Sequence, residues 1–510
     1  MSKQTKSIVS TTLVVSILTL CFKLLGFVKQ MVIAKVFGTV FETDAYNVAF
    51  NFVGMLSSAF IRAITISLVS IYTHCLVQKG KDAASRLMSA CLEILVPVVL
   101  MVLLVVYMIT PFIAGVLAPK YTPDQSLVLQ SYLRICYPFF LFAVVTLVWT
   151  SLMDANKDFV VSRTESFVTS VTTIGCCIFL NSILAVKSLV VAQYLSYIIF
   201  GTLLLIRGRR YFKFTLVNIF EVPEIRFVLA TALPLFVGNS VSQINKIVDN
   251  ALSTGLGEGN ASALTYSVTL EDFVIVILVN NVVDILYVNF STYIAEGNFD
   301  SLIATMKKAI NIMICMMLPI TIVTCLCASN IVSIIYERGK FDGASVAMTS
   351  AALIGYALGF ASMGVRDIIL RGLYSFKNMK GPMITGIIAV AVNILFSVIL
   401  SRFLGIMGIT IASSISMTVN FIINSQMLKK HLPSYNFLAH IPVLLKQIPS
   451  IAFSLAVIIF IKEHVTNNIL VFLLSAVIGI AGYGLILLFM KIEEVDYIKA
   501  KVLAKLPTRK

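Results

Sequence analysis

The sequence predicts an all-α integral membrane protein, and three observations carry that expectation. Of its 510 residues, 59% are hydrophobic and 12% charged, whereas a soluble domain runs near half apolar and a quarter charged. The mean hydropathy is +0.97. Apolar runs of about 20 residues, the length that crosses a bilayer as a helix, recur along the whole chain.

Taken in order, the runs lie near 8–36, 44–73, 88–118, 126–152, 160–183, 188–206 and 227–253. They continue near 261–292, 306–328, 344–372, 382–401, 406–428, 442–461 and 467–490, about fourteen in all. The first run continues past Cys21 without a small-residue cleavage site, so no cleavable signal peptide is expected. Connections are short; the longest, 207–226, leaves no room for an extramembrane domain. With the N-terminus placed inside, the outer loops hold only Lys120, Lys187, Arg338, Lys340, Arg402 and Lys462 of the loop cations. Positive charge favours the cytoplasmic side, so both termini are expected there. The same placement accounts for the net charge of +15 without a nucleic-acid partner, because basic inner loops face an anionic leaflet.

The nine cysteines lie in or beside apolar runs and lack metal-site spacing, so they read as small buried hydrophobes. Four scattered histidines form no metal cluster. Neither a phosphate-binding loop nor a nucleophile–base arrangement appears, which points away from an enzyme and from a resident cofactor.

Charges inside the runs carry the functional signal, since lipid tolerates them poorly. Lys23, Lys29, Lys35, Arg62, Arg134, Lys246, Arg366 and Arg371 remain once loops and tails are assigned, along with Asp44, Asp249, Glu271, Asp272, Asp284 and Asp367. They concentrate in the first, second, seventh, eighth and tenth runs, and the ordinary alternative is that several snorkel to an interface. Six-residue steps turn an ideal helix by about 240°, so Lys23, Lys29 and Lys35 cannot all point one way. Gly26 is the natural hinge that would bring Lys23 and Lys29 together, whereas Lys35 reads as a snorkeller. VFGTVFETDAYNVAF (36–50) and GLGEGNASALTYSVTL (255–270) are faintly alike. This suggests two six-helix lobes related by a pseudo-twofold, 1–206 and 227–430, with a cytoplasmic linker at 207–226. The segment 431–510 would add two C-terminal helices and a cytoplasmic tail. Such repeats place a transporter's site at their interface.

The stretch LLGFVKQMVIAKVFG…TDAYNVAF resembles the N-terminal signature of the MurJ/MviN family, within the MOP flippase superfamily. QINKIVDNALSTGLGEGNASALTYS, IIYERGKFD and LRGLYSFKNMKGPM are similar to further segments of that family, in the family's order. The resemblance implies a flippase for undecaprenyl-pyrophosphate-linked peptidoglycan precursor, lipid II, in the bacterial inner membrane. It also implies alternating access by two lobes around a central cationic cavity, with two extra helices forming a lipid-facing groove. Lys23 and Lys29 stand where the family's first two cavity arginines stand, and Asp44 matches the aspartate of its T-D-A motif. Ser57 (or Ser58) and Thr269 stand where further arginines are expected, and Arg62, one turn on from Ser58, is a possible replacement charge.

A diphosphate diester carries about two negative charges that need cations in low dielectric. Lys23, Lys29 and Arg62 are the expected phosphate ligands, with Asp44, Asn47, Ser57, Gln243 and Thr269 as further substrate contacts. Asp249, Glu271, Asp272 and Asp284 are candidates for coupling a cation, with the membrane potential as the other energy source. The expected partners are the lipid-linked glycan and membrane lipids, with the protein a monomer. Alternatives are a flippase for another lipid-linked oligosaccharide of O-antigen, capsule or exopolysaccharide type, and, more distantly, a multidrug exporter of the same superfamily.

Overall fold

The computed structural model describes residues 21–490, apart from 157, 377 and 379. Among the described residues it is all helical, and helix overlaps every apolar run named above. Among the described residues, eight helices are long and apolar enough to cross a membrane, or up to ten if each of two bent pairs is one span.

The helices are α1 (21–37), α2 (Phe41–Met108), α3 (Thr110–Leu117), α4 (Pro123–Cys136), α5 (Pro138–Ala155), α6 (Phe159–Ser162), α7 (Glu165–Phe179), α8 (Asn181–Leu184) and α9 (Lys187–Gly208). Next come α10 (Glu224–Thr254), α11 (Asn260–Ile275), α12 (Asn281–Ala295), α13 (Phe299–Leu326), α14 (Ala328–Tyr336), α15 (Gly343–Ala357) and α16 (Phe360–Ser375). The chain closes with α17 (Lys380–Leu404), α18 (Ile406–His431), α19 (Ile441–Lys446), α20 (Ile448–His464), α21 (Asn468–Leu474) and α22 (Ile480–Phe489). Wider π-turns, Val276–Asn280 and Ser475–Gly479, join α11 to α12 and α21 to α22.

Local chemistry explains the breaks. The two apolar runs near 44–73 and 88–118 begin in two helical segments of α2 that meet at a kink, Gly80, whose φ of 86° suits glycine. Thr122 and Gln125 form a capping box at the start of α4, with Pro123 at the first helical position. Gly405, at φ 57°, turns α17 back onto α18.

The chain divides into two compact units, Met1–Ser262 with Arg338–Phe341, and Ala263–Glu337 with Asp342–Lys510. Within the first unit, α10 packs along α2. Lys79 of α2 pairs with Glu224 of α10, and Thr254 Oγ1 donates to the Leu117 carbonyl at 3.0 Å.

In the second unit, Met306, Ile310, Met313, Met317, Phe360 and Leu373 centre one buried core. Ile322, Cys327, Ile458 and Tyr483 centre a smaller one. There, α17 and α18 are joined by a ladder of side-chain hydrogen bonds. Thr385 Oγ1 donates to Asn424 Oδ1 at 2.9 Å, Asn424 Nδ2 to Asn420 Oδ1 at 2.7 Å, and Asn420 Nδ2 to the Thr385 carbonyl at 3.0 Å. Asn393 Nδ2 adds a bond to Ser413 Oγ at 2.9 Å. Of the nine free cysteines, only Cys21 is exposed. No group of three or more potential metal ligands occurs among the described residues.

Candidate functional site

In the first unit, α1 lies against α7. Phe22 and Phe167 meet with ring centroids 5.4 Å apart, and a Cβ on Gly26 would stand 3.8 Å from Ser170 Oγ and 3.9 Å from Ser166 Oγ. Helix α1 runs unbroken through Gly26, the expected hinge. Lys23 is exposed, whereas Lys29 is half-buried beside Cys177. Lys35 is exposed, next to the turn at Gly38. Arg62 is helical, but its side chain lies outside the described residues.

That turn makes a close backbone contact. Gly38, at φ +62°, leaves no room for a side chain, because a Cβ would fall 2.3 Å from the Lys340 carbonyl oxygen. Gly339, at φ +64°, is constrained in the same way, with the Lys35 carbonyl oxygen 2.2 Å from its Cβ position. Between them, the Lys340 N–H donates to the Lys35 carbonyl at 3.0 Å.

Asp44 is fully buried at the start of α2, and both its oxygens are engaged. Oδ2 accepts from the Gly259 N–H at 2.6 Å and Oδ1 from the Ser262 N–H at 2.7 Å. Asn47, one turn on, donates to Ser262 Oγ at 3.0 Å. The Phe41 N–H bonds Glu258 Oε1 at 2.7 Å, and Lys120 Nζ bonds the Gly255 carbonyl at 3.0 Å. The glycine-rich segment 255–259 is therefore held by the side chains of Asp44 and Lys120 and by the Phe41 backbone, and Asp44 acts on backbone amides.

Ser57 lines a cavity of about 200 Å³ walled by α2, α5, α7 and α9. Its hydroxyl donates to the Val53 carbonyl at 2.7 Å. Gln243 is half-buried on α10, and Asp249 is buried there, accepting from Asn245 Nδ2 at 3.2 Å. In the second unit, Thr269 is half-buried and donates to the Thr265 carbonyl at 3.0 Å. Glu271 is half-buried and Asp272 exposed. Asp284 accepts from Arg371 at 2.8 Å, and the same guanidinium lies 5.4 Å from the Tyr287 ring centroid. Its charge is thus already met by a cation. Arg366 pairs with its neighbour Asp367 at 2.7 Å.

A family profile described as "Lipid II flippase MurJ" matches residues 33–479. The chain belongs to the MurJ family. A probable lipid II flippase MurJ from Treponema pallidum (strain Nichols) is 23% identical over 443 residues, covering 84% of this chain and 83% of the relative. One from Thermotoga maritima is 24% identical over 431 residues, covering 84% and 87%. A solved structure described as lipid II flippase MurJ in an inward closed conformation shares the fold. It has a TM-score of 0.81 at 23% identity and covers 95% of this chain and 100% of that one. An inward-facing multidrug resistance MATE transporter of the MOP superfamily aligns with a TM-score of 0.66 at 14% identity, covering 80% and 94%.

Membership of the MurJ family makes this a multi-pass membrane protein of the transporter class, not an enzyme. Within that frame, sequence reasoning overlooked Glu165. This acid follows Arg163 at the edge of a run, where it passes for part of a loop; its place among the hydroxyls of other helices is a product of folding.

Proposed function

We propose that this MurJ-family chain moves lipid II, the undecaprenyl-pyrophosphate-linked peptidoglycan precursor, from the inner to the outer leaflet of the bacterial inner membrane. The observation that carries this reading is the family match over 33–479, joined to a first helix that brings Lys23 and Lys29 into an otherwise apolar run. The lysines, with Arg62, neutralise the pyrophosphate while the prenyl tail stays in lipid. Lysine keeps the charge of the family's arginines but gives up their planar fork. Asn47, Gln243 and Thr269 contact polar parts of the headgroup, and α1, unbroken in this structure, bends at Gly26 during transport to bring Lys23 and Lys29 together. Asp44 positions the 255–262 backbone.

Transport proceeds by alternating access of two six-helix lobes, with both termini cytoplasmic and the protein a monomer that has no nucleic-acid partner. The driving force is the membrane potential or a cation gradient, with Asp249, Glu271 and Asp272 as coupling acids. Asp284 is the weaker choice because Arg371 already neutralises it. Ser57 and Thr269, standing where arginines are expected, favour as a second reading a different undecaprenyl-linked glycan.

The test is complementation of a strain depleted of its lipid II flippase. Wild type is expected to restore growth, Lys23→Ala and Lys29→Ala to fail at equal expression, and Lys35→Ala to succeed. Rescue that survives both of the first two substitutions would remove the lysines from the mechanism. No rescue by well-expressed wild type would favour the second reading.

A further inference from the structure

The cavity beside Ser57 has a chemistry that phosphate binding does not explain. Glu165, in the first turn of α7, lines it together with Tyr197 and the hydroxyls of Ser57, Ser58, Thr146 and Thr150. Among the described residues, no ion pair or hydrogen bond to the Glu165 carboxylate is found. Glu165 lies in the first turn of α7, where a helix's N-terminal dipole favours negative charge, but a helix dipole supplies only part of a counter-charge.

The hydroxyls are oriented by their own helices. Ser57 donates to the Val53 carbonyl at 2.7 Å, Ser58 to Met55 at 3.1 Å, Thr146 to Phe142 at 2.9 Å, and Thr150 to Leu147 at 2.9 Å. Each hydroxyl has one proton and two lone pairs. With all four protons committed to backbone oxygens, what these groups have left to offer the cavity is lone pairs. Beside a carboxylate, that makes a lining of oxygen acceptors, with the Tyr197 phenol as the exception. An anion would be repelled there. A small hard cation meets oxygen ligands of the kind it takes in proteins. The volume of about 200 Å³ holds several waters or a partly hydrated ion.

We propose that this cavity is a binding site for a small monovalent cation, sodium or the proton, with Glu165 as its charged ligand and the four hydroxyls completing the shell. A bound cation supplies the counter-charge that no described residue gives Glu165, an exposed acid in the first turn of α7. The inference rests on the geometry of the first unit and not on the lipid II reading. It differs from the coupling acids of α10 and α11 in lying within the wall formed by α2, α5, α7 and α9.

The experiment is thermal unfolding of the purified full-length protein in detergent. Sodium is titrated against choline at constant ionic strength, and pH is then varied in choline alone. Ligand binding to the folded state raises Tm saturably. A sodium response identifies sodium as the occupant; a response to acidification without one to sodium identifies the proton. In either case Glu165→Gln is expected to remove the response, weakening sodium affinity by about tenfold or more. Asp124→Asn, an exposed acid on α4, keeps it. If Glu165→Gln does not fold, Thr150→Val answers the same question by weakening the response while leaving the carboxylate in place. A response that persists at full size in Glu165→Gln, or in Thr150→Val where that is the variant measured, overturns the proposal. So does a wild type indifferent to both sodium and pH.

Discussion

Replacing Gly38 or Gly339 by alanine tests the close backbone contact at the end of α1. Each glycine has a positive φ, +62° and +64°, and an L-residue in that region costs about 1–2 kcal/mol. Each Cβ would also fall within 2.3 Å of a carbonyl oxygen, Lys340 for Gly38 and Lys35 for Gly339. Those oxygens are backbone atoms and cannot turn aside as a side chain can, so the two strands of chain must separate. Separation breaks the Lys340 to Lys35 hydrogen bond, a loss of about 0.5–1.5 kcal/mol. Each variant should therefore be destabilised by about 1.5–3.5 kcal/mol.

The assay is thermal or denaturant unfolding of the purified variants in one detergent, with Gly386→Ala as control. Gly386 lies inside α17 with nothing within 4 Å of its Cβ position, so alanine there should be neutral or stabilising by up to about 1 kcal/mol. Because both substitutions disrupt one contact, Gly38→Ala/Gly339→Ala should cost less than the two singles added. Single variants as stable as wild type, or strict additivity, would refute the reasoning.

Asp44→Ala leaves the Gly259 and Ser262 amides buried without their acceptor; a loss of about 1–3 kcal/mol per amide is expected, read as a lower Tm, with Asp44→Asn intermediate. Asn424→Ala removes one hydrogen bond between α17 and α18 and one within α18 and should cost about 1–2 kcal/mol; a double-mutant cycle with Asn420→Ala should show coupling between them. The Asp342 carboxylate caps α15, accepting from the Ser345 N–H at 2.9 Å and the Ser345 hydroxyl at 2.7 Å, and these bonds hold its carboxyl below the usual carboxylate range. A group with a depressed folded pKa contributes stability above its unfolded value, near about 4, and loses it as pH falls through the folded one. Asp342→Asn should flatten the acid limb of a stability–pH curve below about pH 4 and lower stability at neutral pH, where the carboxylate's contribution is lost.

Much of the architecture was legible because the bilayer imposes a length and an apolarity that any helix crossing it must meet. What the apolar runs could not specify is where a turn is a single residue: the pause between 73 and 88 looks like a loop, yet Gly80 alone interrupts α2. Lys23, Lys29 and Asp44 were visible as charges out of place. The partners of Asp44 were not, because Gly259 and Ser262 lie 215 and 218 residues further on. The amides of α17 and α18 drew no notice from sequence, since a lone Asn in an apolar run reads as an interhelical hydrogen bond. In the structure Asn424 accepts from Thr385 of the neighbouring helix. Glu165 was missed for the opposite reason, its neighbours being supplied by helices distant in the chain.

The π-turn at Val276–Asn280 has a consequence for counting along the span it interrupts. One extra residue in a turn advances everything beyond it by about 100° of rotation. A helical wheel drawn straight through 260–295 would therefore assign Asp284 to the wrong azimuth relative to Thr269 and Glu271. The insertion lets α11 and α12 present unrelated faces while remaining one rod, and it sets the bearing from which Asp284 meets Arg371. Removing a single residue from Val276–Asn280 would swing that carboxylate through about 100°, away from its guanidinium, with no change in composition at either end.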